Sequence, residues 1–281
     1  MKRIVTIQDF SCVGKCSLTS ALPVISAAGV EACGIPTALL SNHTGFPTFY
    51  SRDLTEELTP IGAQLRRESI GFDAVYTGYI ASVRQMELIS DFIDEFRGAN
   101  TLIFVDPVMG DNGRIYSGLS GDYPQHMKKL CQKADILAPN LTEACLLLGK
   151  EYNADIPYEE ICRMLRELYE LCGKYAFITG VKRDDMIGAV GFDGVSFNDC
   201  FMIHEDIVCA GTGDILSAAF IGAVMRGAQF SEALDTAVKF TYEAVRLTAA
   251  DPDRRFYGVQ FELALPYYIE QIGKIVENGR V

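Results

Sequence analysis

Short apolar runs alternate with amphipathic stretches along most of this chain. Ile4–Ile7 is a compact apolar run inside a strand read as Arg3–Gln8, and Ser17–Ala28 repeats apolar residues at helical spacing. The alternation continues with a strand at Ile35–Leu40, a helix at Leu54–Glu68, a strand at Ala74–Tyr79 and a helix at Arg84–Phe96. Leu102–Val105 reads as a buried strand, Tyr123–Gln132 as a helix and Ile136–Ala138 as a strand, before a long helix at Tyr158–Cys172 and a strand at Tyr175–Thr179. Apolar runs without polar alternation suit strands covered on both faces, and strands alternating with helices make βαβ units. The pattern predicts an α/β protein with a mostly parallel central sheet between two helical layers.

Two stretches break the rhythm. Met186–Phe192 and Val195–Ile203 flank Asp193-Gly194, a two-residue turn signal that predicts an antiparallel hairpin at the sheet edge. Thr212–Gly227, Ala233–Ala250 and Phe261–Val276 then read as helices. No change of composition and no Pro/Gly/Ser linker divides the chain, so residues 1–281 read as one domain.

Charge and cysteines narrow the class. A net charge of −12 disfavours nucleic-acid and anionic-membrane partners, which need a basic face. An anionic nucleotide is still allowed, because backbone N–H groups and a metal can hold it. The nine cysteines are scattered, with no Cys-x-x-Cys pair and only three histidines to build a zinc site. Free thiols in a cytoplasmic protein are expected, and the early strand reads as leaving no room for a leader. No apolar run is long enough to cross a bilayer.

The most telling segment runs from Val208 to Leu216, where Gly211-Thr212-Gly213-Asp214 opens an apolar helix. Glycines let the backbone curl, and the first N–H groups of the helix form an anion site. A carboxylate placed in an anion site suits one task well, which is taking a proton from a hydroxyl while the N–H groups hold phosphoryl charge. An ordinary capped helix start, with Thr212 or Asp214 as the cap, is the plain alternative.

Ligands of open α/β sheets bind beyond the carboxyl ends of the strands. Those ends gather Gln8, Asp9, Ser11 and Gly14, then Ser41–Gly45, Gly78-Tyr79, Asp106–Asp111, Pro139–Glu143 and Thr179-Gly180. Asp106, Asp111, Asn140 and Glu143 offer the hard oxygen ligands that Mg²⁺ prefers. Glu143 also fits a first-turn acid favoured by a helix dipole, with Asn140 or Thr142 capping, and Asp106-Pro107 fits a turn. His43 reads as a hydrogen-bonding scaffold, and Cys209 as a buried thiol. Tyr79 serves equally as a ligand-facing ring or as packing.

Ser41-Asn42-His43-Thr44-Gly45-Phe46, Asp106-Pro107-Val108-Met109-Gly110-Asp111, Ala138–Glu143 and Gly211–Asp214 occur in this order. Together they resemble the pyridoxal/pyridoxamine kinase family of the ribokinase-like superfamily, from about Ile4 to Arg226. That resemblance implies a three-layer ribokinase-like fold and transfer of phosphate from ATP to the 5′-hydroxymethyl group of a B6 vitamer. It makes Asp214 the base and the Gly211, Thr212 and Gly213 backbone the phosphoryl cradle. Asn140 and Glu143 would organise Mg²⁺, with Asp106 also a metal ligand. Asp106 and Asp111 would lie near the phosphates and a monovalent cation such as K⁺. Thr179 would face the nucleotide, Ser11 and Thr44 the substrate, and Tyr79 the ring pocket. Asn112–Tyr123 would be a flap over ATP, and the enzyme a homodimer.

The first loop departs from that family, which carries Gln-Ser-His where this chain has Gln8-Asp9-Phe10. Asp9 suits a protonated ring nitrogen or a substrate amine. It also suits the related hydroxymethylpyrimidine kinases, whose closing motif usually has cysteine at the position of Asp214. A third reading is a non-catalytic sensor of vitamer or nucleotide, which would not need Asp214.

Overall fold

The centre of the sheet forms because its strands have no polar side to offer. Ile4, Val5, Val75, Phe104 and Val105 are fully buried, and Ile7 is 1% exposed. The structure is a computed structural model and describes residues 1–279. It begins with β1 (Arg3–Ser11), α1 (Ser17–Ala27), β2 (Glu31–Leu40), β3 (Ser51–Asp53), α2 (Leu58–Arg67), β4 (Ala74–Thr77) and α3 (Val83–Phe96). Then follow β5 (Leu102–Val105), β6 (Gly110–Asp111), β7 (Arg114–Ile115), α4 (Tyr123–Cys131), β8 (Ile136–Leu137), α5 (Leu141–Leu148) and α6 (Tyr158–Cys172). The last part holds β9 (Tyr175–Arg183), β10 (Met186–Phe192), β11 (Phe197–Ile203), α7 (Thr212–Met225), α8 (Phe230–Ala250) and α9 (Phe261–Asn278).

Nine strands form one sheet in the order β11-β10-β9-β8-β5-β4-β1-β2-β3, antiparallel only at its two margins. One core packs β1, β4 and β5 side chains against α1, α7, α8 and α9, through Ala21, Phe220, Phe240 and Tyr268. The other packs the opposite sheet face against α2 to α6, through Met86, Met127, Leu147 and Leu165. Helix α6 shows the reason for such burial, since Ile161, Met164, Leu165, Leu168 and Cys172 recur on one stripe. All nine cysteines are free. No helix among the described residues is long and apolar enough to cross a membrane.

The expected architecture is present, with local differences. Strand β1 continues to Ser11 and β9 to Arg183, so Asp9, Ser11 and Thr179 lie within strand ends rather than after them. The edge hairpin turns through four residues, not two. Asp193 N–H reaches the Ser196 carbonyl, while its carboxylate accepts the Val195 and Ser196 N–H groups at 2.8 and 2.7 Å. The flap segment begins as the β6–β7 hairpin, turning at Asn112 and Gly113 with φ of 50° and 76°. Its tip is tied down where the Gly113 N–H donates to Thr142 Oγ1 at 2.9 Å.

β1 and β4 are neighbours in the sheet, yet their helices α1 and α3 leave to opposite faces. Ligands of open α/β sheets bind at the crevice where the winding reverses in this way.

Candidate active site

Asp9 stands at the reversal. The pairing of β1 with β2 slips between Gln8 and Phe10, and such a bulge re-aims a side chain. Asp9 is 7% exposed, and its Oδ1 accepts the Ser17 hydroxyl at 2.6 Å. Burial pushes its carboxyl up, while Ser17 and the nearby His43 act the other way. Tyr79, at the end of β4, is close enough that burial and the Asp9 charge both raise its phenol. The two ends approach tightly here, since a Cβ on Gly78 would sit 2.5 Å from Gln8 Oε1.

Asp214 comes to the same edge from α7. Gly211 precedes the helix with a φ of 81°, and a Cβ there would sit 1.8 Å from the Lys15 carbonyl oxygen. Only glycine suits that position, which pins the α7 start to the β1–α1 loop. A Cβ on Gly213, by contrast, would meet nothing within 4 Å apart from its chain neighbours and its own helix backbone. Burial pushes the Asp214 carboxyl up to about 7, against the Ser17 backbone N–H and with help from Asp9. One turn on, Ser217 Oγ donates to Asp106 Oδ2 at 2.8 Å. Asp106 is also raised, by burial and by the Asp214 charge. The hydroxyl of Tyr76 is buried nearby with no hydrogen-bond partner.

These raised carboxyls make stability fall with pH. A carboxyl lifted to about 7 keeps its proton when folded at pH values where the unfolded chain has lost it. Its contribution is complete below about pH 4 and is lost as pH rises through the folded value. In buffer without nucleotide or divalent metal, Tm is expected to drop between about pH 5 and 8. Asp214→Asn should flatten that slope, and a slope unchanged by the substitution would contradict the assignment.

Asn140 and Glu143 are arranged differently from a pair of open metal ligands. They form a capping box at the start of α5: Asn140 Oδ1 accepts the Glu143 N–H at 3.0 Å, and Glu143 Oε2 accepts the Asn140 N–H at 2.8 Å. Glu143 Oε1 accepts the Met109 N–H at 3.1 Å, and Asn140 Nδ2 donates to the Gly110 carbonyl at 2.8 Å. The pair therefore clamps the β5–β6 loop to α5, and the helix-start reading of Glu143 describes its contacts. Among the described residues no group of three or more His, Cys, Asp or Glu could hold a metal ion. Glu143→Gln replaces one accepting oxygen by a donor that faces an N–H. It is expected to cost about 1–3 kcal/mol, seen as a lower Tm. An unchanged Tm with a raised Mg²⁺ requirement would instead make Glu143 chiefly a cation residue.

The remaining expected residues scatter more widely. Ser11 is buried at the end of β1. Thr179 is partly exposed and, from β9, forms a parallel backbone bridge with Asn140. Thr44 is exposed in the β2–β3 loop. Asp111 is exposed on the hairpin, its carboxylate folded onto the N–H and amide of Asn112. A groove of about 450 Å³ lies farther out along β9, lined by Tyr158, Lys182, Arg183, Asp199 and Phe201, away from Asp214. Ser17, Ser217 and Tyr76 contribute to the site without any expectation from the sequence. Ser217 was readable in principle, three residues beyond Asp214 on the same helix face.

The model of the phosphomethylpyrimidine kinase family matches residues 18–259. The chain belongs to that family. A Bacteroides thetaiotaomicron protein assigned to the phosphomethylpyrimidine kinases is 36% identical, with a TM-score of 0.92 over 95% of this chain and 93% of that one. An orthorhombic form of it, crystallised with pyridoxal, has a TM-score of 0.91. Pyridoxal kinase from Lactobacillus plantarum is 33% identical, with a TM-score of 0.89 over 96% of this chain and 97% of that one. A pyridoxal kinase of Rubrobacter xylanophilus is 27% identical over 87% of each chain. Within this phosphomethylpyrimidine kinase family, the chain has the ribokinase-like fold of pyridoxal kinases.

Proposed function

We propose that this chain is a pyridoxal kinase, acting as a single domain that transfers phosphate from ATP to the 5′-hydroxymethyl group of pyridoxal, pyridoxamine or pyridoxine. The observation that carries this reading is Asp214, a carboxyl lifted to about 7 in the first turn of α7. A general base works best when its pKa is near the working pH. Asp214 takes the proton of the vitamer hydroxyl as that oxygen bonds to the γ-phosphorus. The bond from phosphorus to the bridging oxygen breaks, and ADP leaves with the electron pair. The N–H groups at Gly211, Thr212 and Gly213 hold the charge on the phosphoryl oxygens in flight.

The donor set fits Mg²⁺ bound in its usual way, by one or two carboxylates with waters and phosphates. Asp106 would hold it, with Asn140 and Glu143 shaping the wall behind. When bound, the ion neutralises phosphate charge. Asp111 and Thr179 would face the nucleotide side, with a monovalent cation nearby, and Ser11, Thr44 and Tyr79 would face the vitamer. A cytoplasmic homodimer is part of the same reading, and light scattering of the purified protein tests the dimer.

A coupled ADP-release assay on pyridoxal, pyridoxamine, pyridoxine and hydroxymethylpyrimidine decides the substrate. Turnover of the B6 vitamers is expected. Turnover of the pyrimidine alone would establish the second reading, a hydroxymethylpyrimidine kinase, which Asp9 favours. For a B6 kinase, Asp9→Ser is expected to raise the vitamer KM about tenfold, the loss of one charge-assisted hydrogen bond. The KM for ATP should move less. An unmoved vitamer KM with a lower Tm would make Asp9 a loop residue.

A further inference from the structure

Four non-glycine residues among those described have a left-handed backbone: Ser17, Ser69, Asn112 and Asp184. The last three are exposed, whereas Ser17 is 5% exposed and has a φ of 47°. A buried side chain persists in that strained region only where its surroundings hold it there. Glycine would fit the backbone without strain. The hydroxyl is what glycine lacks, and that hydroxyl donates to Asp9 Oδ1 at 2.6 Å.

Ser17 also starts α1, after an extended Cys16 whose side chain makes no cap. Its backbone N–H is close enough to Asp214 to favour the ionised carboxylate. One strained residue thus bonds Asp9 through its side chain and lies close to Asp214 through its main chain. Asp9 itself takes part in none of the ion pairs among the described residues. His43 is the titratable cation that faces it, and burial holds that imidazole towards its neutral form. A buried carboxylate without a protein cation either keeps a proton or takes a ligand cation as its partner, and a bound cation would hold Asp9 ionised.

We infer that Ser17 is a positioning residue: its hydroxyl fixes Asp9 to receive a cationic group of the substrate, while its main chain keeps Asp214 in register with the same ligand. This rests on the kinase reading above and names a residue and a charge preference that the reading lacks. Asp9 gives one oxygen to Ser17 and the other to the ligand. Pyridoxamine, which offers an ionised aminomethyl group besides the ring nitrogen that all three vitamers share, is therefore the vitamer expected to depend most on this pair.

Ser17→Gly separates the two contacts, because it deletes the hydroxyl, relieves the backbone and keeps the N–H. Steady-state kinetics of the full chain, Ser17→Gly, Asp9→Ser and the double variant, with pyridoxamine and pyridoxine, test the inference. Ser17→Gly is expected to raise the pyridoxamine KM about tenfold, as loss of a charge-assisted hydrogen bond predicts. The pyridoxine KM should rise by less than the pyridoxamine KM and the ATP KM should move least, while the cost of the orphaned Asp9 oxygen to Tm is offset in part by the relieved backbone. In the Asp9→Ser background the same change should add almost nothing, because the two act as one unit. An unchanged pyridoxamine KM in Ser17→Gly would overturn the inference, as would effects that multiply fully in the double variant. If the wild-type chain turns over no vitamer, the kinase reading fails separately. Pyridoxamine binding, followed by titration calorimetry on the same four proteins, then decides the Ser17–Asp9 link.

Discussion

Asp214→Asn is expected to lower kcat by at least ~10²-fold while leaving MgATP binding nearly intact, since general-base contributions run at about 10²–10⁴-fold. Asparagine keeps the shape of the side chain and its place in the first turn of α7, so the phosphoryl cradle survives. It cannot take a proton. The carboxyl near 7 also predicts an acid limb in the pH profile of kcat/KM, with activity rising as Asp214 ionises. Single-turnover measurements at saturating vitamer isolate the chemical step. Equal rates for mutant and wild type there would remove the base role.

Gly211→Ala should be the most damaging single methyl group in the chain. The added carbon would meet the Lys15 carbonyl oxygen at 1.8 Å, on a backbone with a φ of 81°. Left-handed strain and overpacking each cost about 1–3 kcal/mol. The α7 start and the β1–α1 loop must then separate, which displaces Asp214 from Ser17 and Asp9. A drop in Tm of several degrees with kcat/KM down by about tenfold or more is expected. Gly213→Ala, where the space is open, is the matched control for folding. A Gly211→Ala protein with normal Tm and activity would mean that the loop yields freely.

The sheet centre was legible because its strands are apolar on both faces, and the long amphipathic helices because their stripes are regular. Of helix α5 only the start was legible, through its Asn140–Glu143 cap, since its eight residues are apolar almost all round and carry no period. Strand β3 is three exposed polar residues held only by pairing with β2, which leaves no mark in composition. The β6–β7 turn did carry a signal, Asn112-Gly113, but the strands beside it are two residues long and show no alternation. Asp9 and Asp214 stood out because a carboxylate is out of place at a strand end or in an anion turn. Ser17 carried no such mark. Its importance lies in a backbone angle that serine seldom adopts, fixed by partners from β1 and α7.

One helical layer joins the two ends of the chain: α1 shares its core with α7, α8 and α9. During synthesis the apolar flank of α1 therefore emerges long before its cover exists. A ribosome-bound chain lacking everything beyond residue 211 would expose Ala21, Val24 and Ile25, which are fully buried here. The Asp214 side of the site cannot form until this last quarter of the chain docks. Such a long-range closure is expected to make refolding slower than for a fold built from neighbouring segments.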